Sequence, residues 1–247
     1  MSNFNELNSL SEKVMIDNLM DNFQVTSYNE NEKIEQNGLL NQSVNRKKPF
    51  PVDKEINLDP TKTIMSKTDT RGIIEYANEY FMEISGYEEF ELMGRPHNII
   101  RHPDMPKTIF KLMWDSIEKG QNIHAFVKNM AKDGRYYWVL TNFEIKKDAE
   151  GNVISYYARR KAAPRNAIYE IDRLYYILKS IENKQDMQTA LNYFIGMLEE
   201  KNMTYNQFIL SILEVNQQQL SEYFSDQKFV PQAIEERKKG VLGRLFS

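Results

Sequence analysis

The segment GRPHNIIRHPDMP, Gly94 to Pro106, holds three prolines, two of the chain's three histidines and two arginines within thirteen residues. Proline fixes its own φ and restricts the residue before it, so Pro103 and Pro106 keep the neighbouring side chains in one orientation. Arg101 carries a planar guanidinium that can pair bidentately with a phosphate. His102 sets a ring and a donor nitrogen beside it. Asp104 stands where it can cap the following helix or accept a hydrogen bond from a ligand. The same residues also read as a rigid turn with a helix cap and a surface arginine. His97 and His102, five apart, share neither a helix face nor a strand face and do not make a metal pair.

The rest of the composition narrows the chemistry. Cysteine is absent from the 247 residues, which removes disulfides, thiolate zinc, iron–sulfur clusters and any thiol nucleophile. A net charge of -3 gives no electrostatic case for nucleic acid. No apolar run approaches the ~20 residues of a membrane span, and the first residues lack the basic start and apolar stretch of a secretory signal. A cytoplasmic protein is expected. There is no dinucleotide-binding glycine fingerprint, no phosphate loop and no acid–base pair placed for catalysis, so no enzymatic activity is expected.

Three regions must position these residues. Residues 1–60 form a polar extension, with a broken helical stripe through Phe4, Leu7, Leu10 and Val14 and then a linker as far as NRKKPFP. Residues 61–162 read as a hairpin (TIMSKTD, IIEY), short helices closed by Gly86 and Gly94, and a helix MPKTIFKLMWDSIEKG. Three strands follow, IHAFVKNMA, YYWVLTNFEIKK and VISYYARRKA, separated by KDG and DAEGN turns. Five antiparallel strands with short helices on one face make an α+β domain. Residues 163–247 read as three amphipathic helices, the third beginning at Thr204 and Gln207 at capping-box spacing, and a basic tail, EERKKGVLGRLFS.

The strings MSKTDTRGIIEYAN, ISGY, GRPHNIIRHPDMP, VKN, DGRYYWV and ISYYARR resemble the PAS domain of the aerotaxis, or energy-taxis, receptor family over roughly 100 residues. The resemblance implies the PAS fold, noncovalent FAD, and Arg101, His102 and Asp104 at FAD-binding positions. Asn129 of VKN and Asn142 of LTN are candidates for the pyrimidine edge of the flavin, because an amide offers both a donor and an acceptor. Strand alternation puts Tyr136, Trp138, Leu140 and Asn142 on one face, which favours Asn142 if Trp138 faces the pocket. Trp138 itself reads as core or as a stacking surface. Asn78 reads as the cap of the first short helix. One departure is Ile123, where the family commonly has Trp. A lost aromatic face removes a stacking contact on the order of 1 kcal/mol. His124 beside it leaves a haem axial ligand as an alternative.

The resemblance further implies a redox sensor that reports to a chemotaxis transducer. With no output domain recognisable in the chain, a separate membrane chemoreceptor is the expected partner, recruiting the protein to the inner face of the membrane. The helical flanks are expected to support a homodimer. The alternatives are a ligand-free PAS interaction module and a haem-binding PAS sensor.

Overall fold

The computed structural model describes residues 49–225. The helical stripe expected near the N-terminus and the basic tail lie outside the described residues.

Alternating apolar side chains build the sheet. Its strands are β1 (Ile64–Thr68), β2 (Ile74–Ala77), β3 (His124–Met130), β4 (Tyr136–Lys147) and β5 (Val153–Ala162). They lie in the order β2-β1-β5-β4-β3, and every neighbouring pair is antiparallel. Between β2 and β3 come α1 (Glu79–Ser85), α2 (Glu89–Leu92), a 3-10 turn (His97–Ile100) and α3 (Lys107–Glu118). Asn78 caps α1 as expected: its side chain accepts from Phe81 N at 3.1 Å, and it also ties down Met65 N and Thr63 O on β1's side. Gly86 closes α1 at φ +69°, a backbone region that glycine enters without steric cost.

The proline-rich segment sets the curvature of the sheet. Pro96 bridges to Ile73 beside β2, and Arg101 bridges to Asn129 on β3, which are the two opposite edges. In a flat sheet of five strands those edges would stand about 19 Å apart, at about 4.8 Å per gap. Five residues containing a 3-10 turn, rising about 2 Å per residue, reach only about 10–12 Å. The sheet is therefore curled into a half-barrel, and this segment closes it.

The C-terminal region holds α4 (Arg165–Lys184), α5 (Met187–Glu200), α6 (Tyr205–Leu213) and α7 (Gln217–Ser225). The third expected helix is thus two. Glu214 takes φ +55°, ending α6 in a left-handed cap. Asn216 and Gln219 then exchange side chain-to-backbone hydrogen bonds, both 2.9 Å, at the start of α7; such a reciprocal cap begins a new helix.

These helices cover the second face of the sheet, opposite the short helices α1 to α3. Tyr175 of α4 donates to Phe126 O at 2.7 Å and lies against Trp138. Tyr223 of α7 donates to Ala162 O at 3.0 Å, and Phe224 packs on His124. The stretch that follows the expected linker is tied to the domain. Val52 N donates to Gly134 O, Ile56 N to Tyr136 O, and Glu55 and Asn57 accept from Arg165 at the start of α4.

Candidate functional site

Side-chain alternation assigns each strand residue to one of two faces. Tyr137 stands within electrostatic reach of Arg160 and of Tyr87, which lies between α1 and α2. Arg160 in turn meets Phe81 of α1 and His97. Odd-numbered residues of β3 and β4 therefore face the half-barrel interior, with Asn129 opposite Tyr137 and Ala125 opposite Thr141 in register. On β5 the interior residues are Tyr156, Ala158 and Arg160, the last paired with Thr141. Even-numbered residues of β3 and β4 face the C-terminal helices.

The interior wall carries polar atoms with nothing to bond. Asn129 Nδ2, the Tyr137 hydroxyl and Thr141 Oγ1 are all buried and lack a hydrogen-bond partner. Leaving such a group unpaired costs about 1–3 kcal/mol, so a cluster of them on one wall favours whatever polar group, water or ligand, can pair with them. Burial also pushes the Tyr137 phenol above its usual value, so it remains an O–H donor at neutral pH.

Beside this wall sits a buried cation. Arg160 is 4% exposed; its guanidinium donates to Ser66 Oγ at 2.9 Å and faces His97 Nε2 at 2.9 Å. A guanidinium only donates, so His97 Nε2 must accept and the ring is neutral, its proton on Nδ1. Burial first, and then the Arg160 charge, hold the His97 pKa well below the ordinary value. The same desolvation brings Arg160 down to about 10, leaving it cationic at pH 7. Among the described residues no carboxylate pairs with it.

The residues singled out by sequence fall into three places. Asn129 is on the interior wall. Arg101 crosses the β3 edge: its guanidinium donates to Met105 O at 3.2 Å and lies 4.1 Å from the Phe110 ring centroid, with the Glu182 carboxylate opposing the fall in pKa that burial causes. His102 and Asp104 lie past that edge. The His102 ring meets Tyr136 edge-on and its Nδ1 accepts from Asp104 N at 3.2 Å. Burial, reinforced by Lys128, lowers its pKa to about 4. Asp104 is exposed and pairs with Lys128 at 3.2 Å. It does not cap α3. Glu182 of α4 does so, accepting from Thr108 N at 2.7 Å and Thr108 Oγ1 at 2.9 Å.

Trp138 and Asn142 do share a face, but it is the face under the C-terminal helices. Trp138 packs on Tyr175, with ring centroids 6.0 Å apart. Asn142 lines an open cleft of about 550 Å³ with His124, Arg159, Asn206, Gln217 and Phe224. The structure therefore does not bring either residue to Asn129. His124, on which the haem alternative stood, faces Phe224 rather than the interior, its pKa lowered by burial to about 4. Ile123 is buried and falls on the interior face by alternation with Ala125.

Sequence reasoning missed Tyr137, Thr141 and Arg160, and weighed His97 only as a metal ligand. The available signal was parity: Arg160 alternates with Ala158 and Tyr156, and Thr141 with Tyr137.

Residues 74–158 match the family described as PAS fold. The chain is 38% identical over 132 residues to the aerotaxis receptor of Escherichia coli (strain K12), covering 53% of this chain and 26% of the receptor. To biofilm dispersion protein BdlA of Pseudomonas aeruginosa it is 24% identical over 87 residues, 35% of this chain and 21% of that protein. Among solved structures, the light state of the blue-light photoreceptor Aureochrome1 LOV is similar with a TM-score of 0.40 at 21% identity, over 45% of this chain and 86% of that one. The chain spans about a quarter or less of the length of these two curated relatives.

Proposed function

Because the central region of this chain is a PAS domain of the aerotaxis-receptor type, we propose that the protein is a non-enzymatic sensor that binds FAD noncovalently and reports redox state to a chemotaxis transducer. The observation that carries this reading is the buried Asn129 amide, whose Nδ2 has no partner on a wall shared with the equally lone Tyr137 hydroxyl and Thr141 Oγ1. Bound flavin supplies a ring whose edge nitrogens change protonation, and so hydrogen-bond demand, with oxidation state.

The chain's own residues give that change a receiver. The Asn129 amide can present either its NH2 or its carbonyl inward, and the two hydroxyls beside it can rotate to match. Behind Asn129 lies its backbone bridge to Arg101 at the sheet edge. On the other face the strands touch Tyr175, Tyr223 and Phe224. A shift of β3 or β5 would therefore reach α4 and α7 directly, a two-state bias of the kind a sensor requires. Output passes to a separate membrane chemoreceptor at the cytoplasmic face of the membrane, from a homodimer of this chain. Among the described residues no helix is long and apolar enough to cross a membrane.

The visible spectrum of the purified chain tests the reading. Two oxidised-flavin bands that bleach with dithionite, with FAD released on denaturation, are expected. A colourless protein that takes up no added FAD would overturn it.

A further inference from the structure

We infer that Arg160 is the residue that receives the acceptor oxygens of the PAS ligand, with Ser66 and His97 as its positioning residues. This deepens the flavin reading and rests on it for the ligand's identity. Taking an arginine out of water is expensive unless a counter-charge and good hydrogen bonds accompany it. Arg160 has two neutral partners, Ser66 Oγ and His97 Nε2. The aromatic face nearest to it is Phe81, 6.0 Å from the guanidinium to the ring centroid, too distant to offset the desolvation.

The partners act as clamps rather than counter-ions. His97 is fixed by its own stack on Phe81, with centroids 5.6 Å apart and planes 23° apart. Its Nε2 also approaches Ser66 Oγ at 3.2 Å. Both lie on β1 or on the segment that closes the half-barrel, so the guanidinium is held in one orientation. A charged group fixed in place and left, among the described residues, without an acid resembles the preorganised side of a binding site.

Its neighbours sharpen the chemistry. Thr141 is the register partner of Arg160, and Tyr137 is four residues away along β4 on the same face. With Asn129 Nδ2, the wall presents an amide donor, two hydroxyls and a cation. Such a wall suits a ligand edge made of acceptor oxygens. FAD has two such edges, its pyrophosphate and the carbonyls of its ring. Arg101, the guanidinium favoured by sequence pattern, lies instead at the β3 edge, donating to Met105 O and stacking on Phe110.

The test compares the full chain, stripped of ligand, with its Arg160→Met and Arg160→Lys variants. Melting is measured without ligand, and FAD and riboflavin are titrated separately. Without ligand, Arg160→Met should melt at or above the unmodified chain, since an apolar side chain replaces an uncompensated charge. FAD affinity should fall about tenfold or more, the size of a lost charged hydrogen bond, and Arg160→Lys should recover part of it. Riboflavin binding spared in Arg160→Met assigns Arg160 to the phosphate oxygens; an equal loss assigns it to the ring carbonyls. A ligand-free Arg160→Met that melts lower or does not fold would overturn the inference, as would unchanged FAD affinity. If the unmodified chain binds neither flavin, the flavin reading falls, and the ligand-free melt alone decides the role of Arg160.

Discussion

Tyr175 of α4 donates its hydroxyl to the carbonyl of Phe126 in β3 over 2.7 Å, while its ring lies tilted by 35° against Trp138. One side chain thus fastens the C-terminal helices to the sheet face opposite Asn129. Removing the hydroxyl in Tyr175→Phe should cost about 1 kcal/mol, and Trp138→Ala about 3–5 kcal/mol from the cavity left behind. Because neither residue faces the half-barrel interior, the folded fraction of both variants should keep its flavin. Urea unfolding followed by flavin extraction checks both halves. Loss of flavin from folded Trp138→Phe would put the Trp in the binding site after all.

The two asparagines should separate cleanly. Asn129 is on the interior wall, whereas Asn142 opens onto the cleft with His124 and Phe224. Asn129→Ala should weaken FAD three- to tenfold, about 1 kcal/mol for one neutral hydrogen bond. Asn142→Ala should leave FAD affinity within twofold. Titration by flavin fluorescence measures both. Equal weakening in the two variants would contradict the face assignment.

Much of this was legible in the sequence. The five strands, their turns and the cap at Asn78 follow from alternation and turn chemistry. The shared face of Tyr136, Trp138, Leu140 and Asn142 was also readable. Which face turns inward was not. Residues 137–141 are buried without a break, because helices cover both sides, so alternation marks two equally apolar faces. The Gly94–Pro106 segment declared its stiffness, but its path from the β2 edge to the β3 edge depends on the curl of the sheet. Arg160 sits in ARRK, a string that reads as surface charge until parity with Ala158 is applied. The break at Glu214 left one visible trace, Asn216 and Gln219 at capping-box spacing.

Acid should destabilise the fold before the carboxylates titrate. His97, His102 and His124 are all held below the usual value of 6.5 by burial, the last two to about 4. The unfolded chain then binds protons more strongly between pH 6.5 and about 4, so stability is full above 6.5 and falls as pH drops through that window. For His124, packed on Phe224 and flanked on the sheet wall of the cleft by Asn142 and then Arg159, the loss by pH 5 is about 2 kcal/mol. Urea midpoints at pH 7.5, 6 and 5 should fall in that order, and His124→Phe should flatten the slope. A midpoint that stays level from pH 7.5 to 5 would mean the histidines protonate freely in the folded chain.

Gly134 fastens the segment that precedes the sheet. Its carbonyl accepts from Val52 N at 2.8 Å, and its φ is +91°. A Cβ there would stand 2.1 Å from Phe50 O and 3.1 Å from Val52 Cγ2. The first of these is backbone, so relief requires the 50–56 segment to move. Gly134→Ala therefore pays twice, about 1–2 kcal/mol for the backbone conformation and more for the displaced contacts, which include Ile56 N to Tyr136 O at 2.7 Å. The total should exceed about 2 kcal/mol in urea unfolding. Hydrogen exchange should quicken at the Val52 and Ile56 amides while that of Phe126 and Val139 in the sheet remains slow. Uniform acceleration across the sheet would instead make this turn part of the core's own cooperative unit.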